Sequence, residues 1–121
     1  MNKVYVGFRP GVPDAHEVHV SVVEEGNPRS LPTRLELKSH SPDGFRWGSS
    51  GNGAAQLALA ILADATGSDD YAVRHHHWFK LEVVSVLPRD AWKLTEQEVR
   101  EWVGRHHPLD AASQGGTGST S

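Results

Sequence analysis

The sequence predicts an α+β fold, with an N-terminal antiparallel sheet of about four strands packed against two longer helices and one short C-terminal helix. Three observations predict it. Strand-like alternation is confined to the first half of the chain, while the second half opens with an almost wholly apolar run, residues 54–65, and ends with a capping box at Thr95 to Glu98. Strands followed by helices, rather than alternating with them, favour an antiparallel sheet covered by helices on one face.

The elements follow in order. Residues 3–8 alternate, with Val4 and Val6 on one face and Lys3 and Tyr5 on the other. Gly11, Pro13 and Asp14 mark a turn. Residues 17–23 alternate more strongly, with Val18, Val20 and Val22 opposite Glu17, His19 and Ser21, the pattern of a half-buried strand. Glu25-Gly26-Asn27-Pro28 has hairpin turn chemistry. A third alternation, residues 33–38, sets Leu35 and Leu37 against Arg34, Glu36 and Lys38. Residues 40–44 read as a loop, and Phe45-Arg46-Trp47 as a last short strand with both aromatics on one side.

The helical half begins at residues 54–65, apolar nearly all round and so buried on most faces. Gly67 supplies its stop. Ser68 or Asp69 caps a second helix expected to run to about Leu87 and to end before Pro88. Its inner stripe is Ala72, His75, Phe79, Val83 and Val86. The box Thr95-Glu96-Gln97-Glu98, with Leu94 and Val99 as a hydrophobic staple, starts a third helix expected to reach Val103 and stop at Gly104. From residue 110 onward no large apolar side chain occurs, so one domain over residues 1–109 and a disordered Gly/Ser/Thr-rich tail over 110–121 are expected.

Composition narrows the class. A chain of 121 residues fits one domain and buries a core without staples. Cysteine is absent, which excludes disulfides, thiolate nucleophiles and cysteine-ligated metals, and makes a cytoplasmic location the simplest expectation. The N-terminus does not read as a signal peptide, and no run is long enough to span a bilayer. A net charge of −3 with no basic, aromatic-interleaved stripe argues against nucleic acid as a partner. Oligomeric state leaves no mark on the sequence.

Four features have the residue types for chemistry or binding. The turn Gly48-Ser49-Ser50-Gly51-Asn52-Gly53 feeds a helix N-terminus, where free N–H groups suit an anion, and Arg46 or Arg34 would add charge. No lysine follows Gly53, so it is not a P-loop, and the dinucleotide fingerprint is also missing. The competing role is a tight strand-to-helix turn in which glycine lets Trp47 and the helix pack closely. The run His75-His76-His77 lacks i, i+4 ligand partners, and three consecutive helical residues diverge by about 100°. No metal or cofactor is therefore expected; one half-buried histidine and two surface ones are. His40-Ser41-Pro42-Asp43 holds a base, a nucleophile type and an acid, but local adjacency is not a catalytic triad and no nucleophile elbow accompanies it. No catalytic residue is expected; His40 instead orients the glycine turn or caps a helix. Of four tryptophans, Trp78 and Trp92 are candidates for a protein interface if they lie at the rim.

The stretch His40-Ser41-Pro42-Asp43-Gly44-Phe45-Arg46-Trp47-Gly48, continued by Gly51, Gly53 and Ala55-Gln56-Leu57-Ala58-Leu59-Ala60-Ile61-Leu62, resembles the core of a bacterial, plasmid- and phage-borne domain family of unknown function. Phe79, Lys80, Glu82, Val83, Val84, Leu87 and Pro88 resemble its next segment, and Trp92, Leu94, Thr95, Glu98, Val99 and Trp102 its ending. The resemblance spans Val4 to Trp102. It departs at Ser49 and Ser50, where the family often has Tyr and Gly, and at Ala54, where a Pro would preset the helix start. The resemblance implies small accessory proteins on mobile elements that bind and modulate a larger complex. The expected function is thus a non-catalytic interaction protein, an inhibitor or accessory factor with a protein partner. The alternative is a module that binds a small anionic ligand or nucleotide at the glycine turn.

Overall fold

The computed structural model describes residues 3–9, 19–42 and 44–106. The expected tail, the 109/110 boundary, Val18, Asp43 and His107 lie outside them. Four strands form one antiparallel sheet: β1 (Lys3–Phe8), β2 (His19–Glu24), β3 (Asn27–Ser30) and β4 (Ala91–Thr95), in the order β3-β2-β1-β4. Among the described residues three helices accompany it: α1 (Asn52–Thr66), α2 (Asp69–Glu82) and α3 (Glu96–His106). A single 3-10 turn, Val84–Val86, follows α2.

The β2–β3 hairpin closes through Glu25 and Gly26, both at positive φ (54° and 81°), the two-residue geometry that matches strand twist. Its outer strand, β3, carries Pro28, which an edge tolerates because no ladder N–H is needed there. The inner face of the sheet presents Tyr5, Val20, Val22 and Trp92. Gly7 on β1 is there for packing, since a Cβ at that position would stand 2.5 Å from the Trp92 indole.

Helix α1 is the centre of the core. Residues 53–63 are all buried, including Gln56. It packs against α2 more extensively than against any other element, and also meets α3. Near its C-terminal end, Asp64 ties it to the sheet. The Asp64 carboxylate accepts from Tyr5 Oη (2.7 Å), Lys3 Nζ (3.2 Å) and Arg29 (3.0 Å). Gly67 ends the helix at φ 70° with its N–H on Ala63 O, and Ser68 caps α2 by accepting from Tyr71 N.

Several expectations are corrected. Residues 33–38 are not a strand. Arg34 stands at φ 59°, held by Glu36 (2.7 Å) and Asp69 (2.9 Å), and Leu37 N returns to Arg34 O, so the alternating segment is a turn. Phe45-Arg46-Trp47 forms no ladder, although both aromatics are buried as expected. Strands β3 and β4 were not anticipated; β3 takes in Asn27 and Pro28, which read as turn, and β4 is short, with only Trp92 and Leu94 marking its inner face. Helix α2 stops at Glu82, because the chain tightens into the 3-10 turn and sends the Val84 carbonyl to Gly48 N (3.1 Å). Val84 thereby takes the core position expected of Val86, which is 72% exposed.

Helix α3 starts as expected, with Thr95 and Glu98 capping each other reciprocally at 2.9 and 3.0 Å. It passes Gly104 and continues to His106, whose ring stacks on Trp102 and whose Nε2 meets Glu82 at 3.0 Å. Gly104 lies in open space and is not at positive φ. Gly104→Ala is therefore expected to stabilise the protein by about 0.5 kcal/mol, read as a raised urea midpoint at unchanged slope. A lower midpoint would mean that the glycine has a contact role.

Candidate functional site

The glycine turn divides into two parts. Gly48 and Gly53 have packing roles. Gly48 stands at φ 76° against Arg89 and Leu87, with its N–H on Val84 O. Gly53 lies under Arg46, whose Cγ a Cβ would meet at 2.6 Å. The Arg46 guanidinium donates to Phe45 O (2.7 Å). Ser49, Ser50, Gly51 and Asn52 are exposed. Gly51 is the N-cap and supplies no side-chain cap, and the first turn of α1 carries no acidic residue. Ala55 N already donates to Gly51 O, so the exposed tip and the buried helix start are separate.

The second feature is assembled by the fold. His40, on the loop before the glycine turn, meets the histidine run of α2. Its Nε2 is 2.9 Å from His76 Nε2, and its ring centroid is 5.7 Å from that of His77. His76 and His77 are 4.2 Å apart by the same measure. His76, not His75, is the buried member of the run; His75 is half-buried and packs on Tyr71.

Gln56 explains why His40 stands there. Its buried amide accepts from His40 N (2.8 Å) and Ser41 N (3.0 Å) and donates to Thr33 O (2.7 Å) and Lys38 O (3.1 Å). One α1 side chain thus clamps the whole 33–41 loop. His76 is held equally well, since its Nδ1 lies 2.9 Å from Ala72 O and 3.0 Å from Val73 O. Carbonyls only accept, so Nδ1 carries the proton and Nε2 presents a lone pair. Burial pushes His76 down to about 4 despite those carbonyls, with nearby His77 and His40 acting in the same direction. Burial also lowers His40, reinforced by His77, Lys38 and Lys80. These two imidazoles are therefore neutral at pH 7.

The third feature is the outer side of α2. Trp78 is 53% exposed and Leu81 49% exposed, at the i, i+3 spacing that places them side by side. Exposed Val86 follows just beyond. Trp92, by contrast, is 5% exposed and packs edge-on against Trp47, so it offers no rim surface. A separate concavity of about 780 Å³ is lined by Lys3, Thr95, Glu96, Arg100 and their neighbours, and none of the predicted site residues borders it.

The histidine cluster escaped the sequence because its members are 36 positions apart. The available signal was Gln56, a polar side chain inside an apolar helix, which must find partners if buried.

Comparison with known proteins gives one match: the model of DUF6166, a family of unknown function, fits residues 5–105. No curated protein and no solved structure matches the chain.

Proposed function

Given that the chain belongs to DUF6166, a family of unknown function, we propose that it is a non-catalytic interaction protein that docks on a larger protein complex through the outer side of α2. The carrying observation is the apolar pair Trp78 and Leu81, half exposed on a helix that has buried residues enough on its other side. Tryptophan is the side chain most often found dominating protein interfaces, and large exposed apolar groups mark such sites. A role as an inhibitor or accessory factor of a host complex agrees with the mobile-element setting that the resemblance implies. A location in the cytoplasm suits such a partner. None of the helices in the described residues is long and apolar enough to cross a membrane.

The test compares the full chain with a Trp78→Ser/Leu81→Ser double variant in the cell that carries it. Both side chains are exposed, so the variant should keep its thermal stability. The wild type should recover a stoichiometric partner, and the variant should bind that partner at least about 30-fold more weakly, the cost of losing a hot spot. Equal recovery by both proteins would remove α2 from the interface.

The anionic-ligand reading stands second. Its support is the uncapped, acid-free first turn of α1 beneath the exposed residues 49–52. A thermal-shift screen with phosphate and nucleotides decides it, because a ligand at a hundred times its Kd adds about 2.7 kcal/mol.

A further inference from the structure

We propose that His40, His76 and His77 form a three-imidazole site for a borderline divalent transition-metal ion, with Zn²⁺ as the working case, which clips the 33–41 loop to α2. The ligand atoms of the three histidines all lie within 4.8 Å of one another. A tetrahedral ion with bonds of 2.0–2.1 Å requires nitrogens about 3.3 Å apart. The His40–His76 pair, at 2.9 Å, has to open by only a few tenths of an ångström. His77 is exposed and has rotamer freedom to close the remaining gap.

Two further properties fit a metal. First, His76 has its outer nitrogen on two backbone carbonyls, the arrangement that fixes the tautomer and aim of a metal-bound histidine. Second, the His40 backbone is held by the buried Gln56, so the loop ligand is positioned before any ion arrives.

The donor set also selects the ion. Imidazoles without a carboxylate favour Zn²⁺, Cu²⁺ or Ni²⁺ over Ca²⁺ and Mg²⁺, which require oxygen. Lys38 and Lys80 face His40 and oppose a cation, so the nitrogen–metal bonds themselves have to supply the affinity. Three protein ligands leave one tetrahedral position for water or for a group from another molecule.

The experiment uses the full chain without an affinity tag. Zinc is titrated calorimetrically and Co²⁺ is followed by its visible d–d bands, which are intense only for four-coordinate ions. Expected are one ion per chain, four-coordinate cobalt bands and a zinc-dependent rise in Tm. His77→Ala, at an exposed position, should keep the wild-type Tm without metal and weaken zinc by about a hundredfold or more, beyond the loss known for outer-shell partners. His40→Ala should do the same, and His75→Ala should change nothing. The proposal is overturned if millimolar zinc does not bind. It is equally overturned if His77→Ala and His40→Ala bind as the wild type does, since the ion would then sit on other histidines of the eight.

Discussion

Gln56→Leu is expected to lower the unfolding free energy by about 3–5 kcal/mol, although leucine is nearly the same size and the position is fully buried. The loss is entirely polar. Four backbone groups of the 33–41 loop, two N–H and two carbonyls, have the Gln56 amide as partner. An orphaned buried group costs about 1–3 kcal/mol, and part is recovered where the loop lifts into water. Gln56→Glu separates the two halves of the clamp. It keeps an acceptor for His40 and Ser41 but has no donor for Thr33 and Lys38, and it adds a buried charge. Urea unfolding of both variants measures the effect. A change below about 1 kcal/mol for Gln56→Leu would mean that the loop is held by other contacts.

Acid is expected to act in two steps. A histidine lowered in the folded state favours the neutral form there, so stability is intact above the ordinary value of 6.5 and is lost as pH falls towards about 4. The interval is about 2.5 units, or about 3 kcal/mol for His76 alone. His77 and His40 face the ring and act in the same direction as burial, and Lys38 and Lys80 do the same to His40, so these neighbours add to the penalty rather than relieve it. A second loss follows at lower pH. Burial would raise the Asp64 carboxyl, but hydrogen bonds from Tyr5, Arg29 and Lys3 outweigh it and hold the group below its usual range. Its contribution is present above the ordinary carboxylate value and disappears as pH falls through the lowered one. Stability measured from pH 7 to 3 should show both steps, and His76→Gln should shrink the upper one, leaving the part due to His40, without changing the lower one. A wild-type profile flat between pH 7 and 4 would mean that folded and unfolded chains take up protons alike, so that the fold does not hold His76 neutral.

These two experiments fall on residues that the sequence exposed unequally. Strands β1 and β2, helix α1, the Gly67 stop and the Thr95–Glu98 box were legible because each is a local pattern within a few residues. The segment 33–38 misled because its alternation is decided by Arg34, which takes positive φ to reach Asp69, 35 positions away. The end of α2 misled for a similar reason, since its tightening serves Gly48. The candidate site was half legible. The glycine turn was visible, and so was each histidine by itself. A search for i, i+4 ligand pairs on one helix has no means of finding a partner that arrives on a loop. The burial of Trp92 likewise depended on β4, a strand recognised only once it pairs with β1.

The encirclement of α1 has a consequence for how the protein exists in a cell. The sheet, α2 and α3 each cover part of a helix too apolar to stand in water. Removing any one of them leaves the others with an oily surface and no replacement. Among the described residues, therefore, no half keeps its core after a cut, and opening one element exposes the others. A partner or ion that binds only the folded form is then expected to lengthen the time the protein persists.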